Sequence, residues 1–301
     1  MIQLSPATPG TLRERFIEDM TVRRFTDKTR KDYIRTVAGF AAFLERSPSS
    51  ATAEDIRRFQ IHQSERGMHA PAMNSAVAAL RFFFNHTADR PDLARKLIRL
   101  RYPRKLPTVL SPDEAARLIA ATTCLKHRAA LSVAYGAGLR VAEVAALKVG
   151  DIDGERMTIR IERGKGGRYR HALLSPNLLG MLRAWWQEGR QQGVMRPGGW
   201  LFPGQDPASS ISTRQLSRVV EAAAEAAGLT KNVSPHTLRH SFATHLLEDG
   251  VDIRVIQVLL GHAKLDNTAL YTRVATKVVR TVTSPLDKIM AQIGEGATPS
   301  G

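Results

Sequence analysis

The stretch SPHTLRHSFATH, residues 234–245, carries the clearest structural and chemical signals in the chain. Ser234 is a strong N-cap, and the proline after it stands at the first helical position, where its missing N–H costs nothing. A helix that begins there places His236, Arg239 and His240 about one turn apart on one face. An imidazole beside a guanidinium suits the binding of an anionic phosphate and the transfer of a proton.

Two other interpretations of this stretch stay open. Two histidines four residues apart can ligate a metal ion, although a metalloprotease helix needs glutamate where Thr237 stands. The same polar side chains can also form a buried capping cluster. The stretch alone does not decide between these and a phosphate site.

Three further motifs accompany it: GAGLRVAE at residues 136–143, LLGH at 259–262 and ALYTRV at 269–274. In this order the four motifs resemble those of the tyrosine recombinase (phage integrase) family of DNA strand-exchange enzymes. Their amino-acid sequences are similar to those of the corresponding motifs in Xer-type and integron-type recombinases. The resemblance covers the C-terminal two-thirds of the chain strongly and the N-terminal third more loosely. Each motif is weak evidence by itself, whereas four in order are specific.

Composition agrees with a protein that binds a polyanion. The 301 residues carry a net charge of +16 with a pI near 10.6, and the basic residues occur in both parts of the chain. The alternative is a basic soluble protein whose charge serves no polyanionic partner.

Cys124 is the only cysteine, which excludes an internal disulfide and fits a reducing compartment. With no apparent signal peptide, and with the uncharged stretch 129–139 well short of the roughly 20 residues that span a bilayer, we expect a soluble cytoplasmic protein.

The N-terminal third predicts a helical domain over residues 1–100. Apolar spacing indicates four helices, which begin near Thr11, Thr26, Thr52 and Pro71. Four such helices resemble the core-binding (SAM-like) domain of the family. The basic residues between Arg95 and the following prolines predict an interdomain linker over 101–110 that crosses the phosphate backbone, or else a solvated basic connector.

Residues 111–293 predict the catalytic domain, so that the fold class is mainly α with a small antiparallel β-sheet (α+β). A helix over 126–135 ends at a glycine turn, after which Arg140 begins a helix that also carries Glu143. Glu143 either orients the arginine or forms an ordinary ion pair of small worth. Alternation over 157–162, and more weakly over 169–174, indicates a β-hairpin with Lys165 at its tip.

The end of the chain predicts two further features. A strongly apolar helix stops at Gly261, and a short helix then carries Tyr271. Beyond it, apolar residues at helical spacing indicate a final amphipathic segment: Leu286, Ile289, Met290 and Ile293. The resemblance implies that this segment docks on a neighbouring subunit, and the alternative is that it folds back on its own core. Residues 294–301 are expected to be disordered.

The resemblance implies six catalytic residues: Arg140, Lys165, His236, Arg239, His262 and Tyr271, the nucleophile. A phenol, with an ordinary pKa of about 10, needs nearby positive charge and a proton acceptor to attack a phosphodiester. The two arginines can hold the non-bridging oxygens, because a planar guanidinium binds an anion bidentately. We expect the loss of either arginine to slow the reaction by about 10²–10³-fold.

The remaining roles come from the resemblance alone. His236 accepts the tyrosine proton, His262 hydrogen-bonds the scissile phosphate, and Lys165 protonates the departing 5′-hydroxyl. The product is a 3′-phosphotyrosyl link, and no ATP, metal or organic cofactor is required. His240 and His245 are interpreted as packing and hydrogen-bonding residues of the fold.

These observations predict a site-specific DNA recombinase that acts as a homotetramer on two duplex DNA sites, with or without a partner recombinase. The alternatives are a type IB topoisomerase-like enzyme, a catalytically silent DNA-binding accessory protein and, more distantly, a metal-dependent hydrolase. The interval between Lys165 and His236 leaves no room for the additional helix of integron integrases. A Xer-like or mobile-element recombinase on duplex DNA is therefore the better interpretation.

Overall fold

A computed structural model describes five parts of the chain: residues 11–102, 107–162, 170–261, 284–287 and 289. Contacts divide the chain into two units, Met1–Lys105 and Leu106–Gly301, each with its own apolar core. The described parts are mainly helical with one small antiparallel sheet, which confirms the predicted fold class. No helix in them is both long and apolar enough to cross a membrane.

The first unit is a helical domain. Its helices are α1 (Leu12–Val22), α2 (Asp27–Leu44), α3 (Ala53–Glu65), α4 (Ala70–Phe82) and α5 (Pro91–Lys96). A 3₁₀ turn (Pro48–Ser50) precedes α3, and a π-helical turn (Phe83–Thr87) continues α4. Threonines 11, 26 and 52 cap α1, α2 and α3 by accepting a hydrogen bond from a backbone N–H of the first turn. Mutually contacting aromatic rings fill much of the core: Phe16, Phe40, Phe59, Phe82, Phe83 and Phe84.

The sequence pattern predicts four helices here and misses α5. Six residues are too few to show an apolar period, although Pro91 at the first position is a helix-start signal. Leu93 and Ala94 of α5 are buried in the core of the first unit. Arg95 and Lys96, the first of the basic residues from which the linker was predicted, belong to a helix of this unit.

After α5 the chain is held by side-chain amides. Gln60 donates to the carbonyl of Ile98 at 2.8 Å and accepts from its N–H at 3.1 Å. Asn74 pairs in the same way with both backbone groups of Leu100, at 2.9 Å each. Since alternate residues of an extended chain direct their backbone groups to the same side, the two amides replace a neighbouring strand. Arg99 lies between them, exposed.

These pairings predict residue-specific protection of two backbone amides against hydrogen exchange. Gln60→Ala should accelerate exchange at Ile98, and Asn74→Ala at Leu100, by about 2- to 10-fold, because a neutral hydrogen bond contributes about 0.5–1.5 kcal/mol. Residue-resolved hydrogen exchange, followed by NMR, measures both rates. Ser75→Ala, on the helix that carries Asn74, serves as the control. Equal acceleration of both amides by either variant would contradict two independent pairings.

The second unit contains the helices α6 (Pro112–Ala120), α7 (Leu125–Gly136), α8 (Val141–Ala145), α9 (Pro176–Gln191), α10 (Thr213–Ala226), α11 (Pro235–Glu248) and α12 (Ile253–Leu260), with a 3₁₀ turn at Val149–Asp151. Its sheet has the order β1 (Ile152–Asp153), β2 (Thr158–Ile161) and β3 (Arg170–Leu173). Both pairs are antiparallel, with Ile159 opposite Ala172, so the predicted hairpin strands are present. Helix α7 is the centre of this unit, because every residue from Ala129 to its end is buried.

The described residues of the C-terminal segment pack within their own unit. Leu286 and Ile289 belong to the core of the second unit. Ser284 donates a hydrogen bond to the carbonyl of Gly136 at 3.1 Å. Folding back on the same core is therefore the arrangement that these residues adopt, while Met290, Ile293 and residues 294–301 lie outside the described part of the chain.

Gly138 stands at the turn between α7 and α8, and its replacement should be costly. Its φ is +62°, and an added Cβ would lie 2.4 Å from the ring of Phe242. We expect Gly138→Ala to lower the free energy of unfolding by about 2–5 kcal/mol, from about 1–2 for the left-handed backbone and about 1–3 for overpacking.

Gly228→Ala is the matched control for this prediction. Gly228 has a similar φ of +65° but no atom within 4 Å of an added Cβ. Only the backbone cost of about 1–2 kcal/mol should remain. Urea unfolding measures both variants, and equal losses would show that the contact with Phe242 relaxes freely.

Candidate active site

Arg140 is held at the start of α8 by Glu143. Its backbone N–H donates to Glu143 Oε2 at 2.9 Å, and its Nη1 donates to Glu143 Oε1 at 2.7 Å. Among the described residues only Glu143 accepts from this guanidinium, whose side chain is 23% exposed. Further N–H donors of Arg140 are therefore available to an anion. Glu143 itself is buried, which argues against an ordinary ion pair of small worth.

Arg239 reaches the same carboxylate from α11. Its Nη1 donates to the carbonyl of Gly138 and lies 3.7 Å from Glu143 Oε2, while its Nη2 donates to the carbonyl of Leu260 at 2.6 Å. The side chain is 7% exposed. Burial, reinforced by the nearby positive charges of Arg140 and Arg170, lowers the pKa of Arg239 to about 9, so it stays charged at neutral pH.

Arg170, the first residue of β3, is a third arginine at this carboxylate. Its Nη2 donates to Glu143 Oε2 at 2.7 Å, and its Nη1 donates to the carbonyl of Leu259 at 2.6 Å. Sequence reasoning missed this residue. From sequence, an arginine in a hairpin strand is expected to face solvent. No local pattern indicates that the side chain of Arg170 is only 10% exposed.

One buried carboxylate thus serves three guanidinium groups. Burial by itself raises the pKa of Glu143, but the charge of Arg170 and the hydrogen bonds from Arg140 outweigh it, so that this pKa lies below its usual value. Among the described residues, these three positive charges and one negative charge leave an excess of two positive charges. Such a centre can neutralise a phosphodiester and bind both of its non-bridging oxygens.

The histidines of α11 divide into two groups. His236 and His240 are exposed, one turn apart, on the helix that carries Arg239. Although His240 is exposed, partial desolvation of its ring, together with the nearby charges of His236 and Arg239, lowers its pKa. His245 is buried between the Tyr135 hydroxyl at 2.8 Å and the Leu110 carbonyl at 2.9 Å. The packing role is confirmed for His245 and wrong for His240, which faces outward.

The structure therefore brings together Arg140 and Arg239 of the six predicted residues, with His236 exposed on the Arg239 helix. Lys165, His262 and Tyr271 lie outside the described residues. The helix ahead of His262 ends at Gly261, as predicted, and the structure shows this glycine in the left-handed conformation.

Comparisons with known proteins extend over both units. Residues 108–277 match the model of the phage integrase family, and residues 12–92 match that of the phage integrase N-terminal SAM-like domain. The integrase/recombinase y4qK of Sinorhizobium fredii is 42% identical, covering 92% of this chain and 88% of its own. An integrase/recombinase of Escherichia coli is 32% identical, covering 95% and 96%. Tyrosine recombinase XerA of Pyrococcus horikoshii is 33% identical, covering 83% and 86%.

Solved structures share the fold. A lambda integrase dimer bound to a COC′ core site superimposes with a TM-score of 0.66 at 19% identity, covering 86% of this chain and 98% of that one. The Tn1549 transposon integrase in complex with circular intermediate DNA gives a TM-score of 0.63 at 18% identity, covering 88% and 98%.

Proposed function

Because the chain belongs to the phage integrase family, and is thereby an enzyme of site-specific DNA strand exchange, we propose that it cleaves and rejoins DNA through a 3′-phosphotyrosyl intermediate on Tyr271. The observation that carries the proposal is the shared carboxylate of Glu143, which holds Arg140 and Arg239 within one centre of excess positive charge. Phosphoryl transfer mainly demands positioning and charge neutralisation, and this centre supplies both.

In the proposed reaction the Tyr271 hydroxyl attacks the phosphorus atom, and the bond to the 5′-oxygen breaks. His236 accepts the phenolic proton, and Lys165 donates a proton to the departing 5′-oxygen. Arg140 and Arg239 bind the non-bridging oxygens, with a further hydrogen bond from His262. The 5′-hydroxyl of another strand then attacks the phosphotyrosine and releases the enzyme. Since the first step conserves the phosphodiester energy in the protein link, rejoining needs no ATP.

The proposed partners are double-stranded recombination sites, bound by a homotetramer with or without a second recombinase. The net charge of +16 supports binding to a polyanion. Two solved structures that share the fold support this assembly. One is a lambda integrase dimer bound to a COC′ core site, and the other is a lambda integrase tetramer bound to a Holliday junction. Integration, excision and dimer resolution all use this same chemistry.

The test of this function has two steps. First, the protein captures its own site covalently, in EDTA, from a pool of nicked duplexes that represent candidate sites. The captured sequence is then cloned as a direct repeat in a supercoiled plasmid. We expect two smaller circles with exchanged flanks. Relaxation without exchange would indicate the topoisomerase-like alternative, and binding with neither product would indicate an accessory DNA-binding protein.

Arg99 and Arg101 predict part of the salt dependence of DNA binding. Both are exposed on the segment that Gln60 and Asn74 hold. Replacing both with alanine should make the plot of log association constant for DNA against log salt concentration less steep. The magnitude of its slope should fall by about 1.8, or about 0.9 for each lost phosphate contact. Affinity should fall by the same factor on the captured site and on a scrambled duplex, because phosphate contacts carry no sequence information. An unchanged slope would identify the segment as a solvated connector.

A further inference from the structure

We propose that Arg170 is a positioning residue for catalysis: it fixes the Glu143 carboxylate and the end of α12, and thereby holds Arg140 and Arg239 at one phosphate. The inference deepens the proposed function and rests on it. Arg170 would not contact the DNA itself. It would act through the residues that do.

The first support is the pair of groups that the Arg170 guanidinium binds. Two nitrogens of one guanidinium bind two separate elements: Nη2 binds Glu143 of α8, and Nη1 binds the Leu259 carbonyl of α12. Arg239 binds the next carbonyl, that of Leu260. The two arginines thus hold successive carbonyls at the negative end of one helix, where positive charge is favoured. The position of Arg239 consequently depends on the same helix end that Arg170 holds.

The second support is the geometry at Gly261. An added Cβ there would lie 2.4 Å from Arg170 Cδ, and the glycine has a φ of +62°. The chain therefore leaves room for the Arg170 stem against the residue that ends α12. Arg170 starts from a fixed base, because its backbone is paired with Ile161 in the sheet. A rigid strand, a planar fork and a glycine together define one position for this guanidinium.

The third support concerns Glu143. Its Oε1 accepts from Arg140, whereas its Oε2 accepts from Arg170 and from the Arg140 N–H and lies 3.7 Å from Arg239. Without Arg170, Oε2 would lose a charged donor in a buried site and the carboxylate would turn towards Arg239. Pairing there would neutralise the arginine that the phosphate requires. Arg170 therefore keeps Glu143 from competing with the substrate.

Lysine cannot replace this arrangement. An ammonium group retains the charge but is a single point, so it cannot bind the carboxylate and the Leu259 carbonyl along two fixed directions. Arg170→Lys should fold, since the charge of the buried ion pair is kept, yet it should misplace the phosphate-binding groups. A misplacement of about 1 Å can cost about 10²-fold in rate.

The experiment measures single-turnover covalent adduct formation on two nicked substrates at saturating DNA. One carries the natural scissile phosphodiester, and the other carries a methylphosphonate, in which a methyl group replaces one non-bridging oxygen and removes the charge. On the phosphodiester we expect Arg170→Lys to slow adduct formation by about 10- to 100-fold, with the Kd for DNA changed less than about threefold. On the methylphosphonate the loss should be at least about fivefold smaller, since there is little charge to neutralise.

The outcomes separate this role from a purely structural one. Equal losses on both substrates, or no loss on either, would overturn the inference, because a lower folded fraction slows both reactions alike. Arg170→Gln provides a second variant without the charge and should show the same difference between substrates. Arg160→Lys on the neighbouring strand, where the side chain is 51% exposed and pairs with Asp151, should leave both rates unchanged.

Arg140→Ala in the same assay tests the proposed function separately. Because Arg140 is proposed to bind the phosphate directly, its variant should lose more on the phosphodiester than on the methylphosphonate. Equal losses for Arg140→Ala would refute the phosphate-binding role and, with it, the inference. A substrate difference for Arg140→Ala without one for Arg170→Lys would refute the inference alone.

Discussion

Tyr271→Phe should abolish the covalent protein–DNA adduct on a nicked substrate while leaving DNA binding intact. The substitution removes only the hydroxyl that is proposed to attack phosphorus, so no other step is directly changed. The adduct is measured as a protease-sensitive shift of labelled DNA in denaturing gels, with EDTA present throughout. Wild-type protein should form it under the same conditions.

The three other tyrosines that the structure describes make this prediction more specific. Tyr135 is buried, its hydroxyl pairs with His245, and burial raises its pKa, all of which make it unsuitable as a nucleophile. Burial also raises the pKa of Tyr33. Tyr102 is 48% exposed beside Arg101, so Tyr102→Phe is the matched control and should retain the adduct. An adduct that survives Tyr271→Phe but not Tyr102→Phe would move the nucleophile to the first unit.

Arg239→Lys should slow adduct formation by about 10²–10³-fold, the cost of losing one oriented donor to a developing anion. Lysine retains a charge but cannot bind the Gly138 carbonyl, the Leu260 carbonyl and a phosphate oxygen at once. The measurement is the single-turnover rate at saturating DNA, because Kd should change little when the lost contact acts in the transition state.

Arg140→Lys is the informative comparison. Arg140 is more exposed and, among the described residues, binds only Glu143. Its variant should lose a similar factor in rate but less thermal stability than Arg239→Lys, whose side chain joins α11 to the turn before α8 and to the end of α12. A full rate for Arg239→Lys in a folded protein would show that this arginine is structural.

Local chemistry explains why much of the fold could be predicted. The capping boxes at Thr52 and Ser111, and the glycine at Gly261, begin or end helices through groups only a few residues away. The four ordered motifs likewise predicted the family, because each is a short run that can be recognised without knowing its neighbours. Helix α5 was not predicted because its six residues are too few to show a helical period of apolar residues.

The sequence by itself thus determined the longer helices, the hairpin strands and the identity of Arg140 and Arg239 as site candidates. Only the tertiary structure decided that Glu143 is the carboxylate they share and that Arg170 is a third partner. It also decided that Gln60 and Asn74 hold the segment after α5. The physical reason is sequence distance: Arg170 lies 27 residues from Glu143 and 89 from Leu259, and Gln60 lies 38 from Ile98. Whether an arginine is buried and paired, or exposed, depends on which distant elements pack around it, and no local period records that.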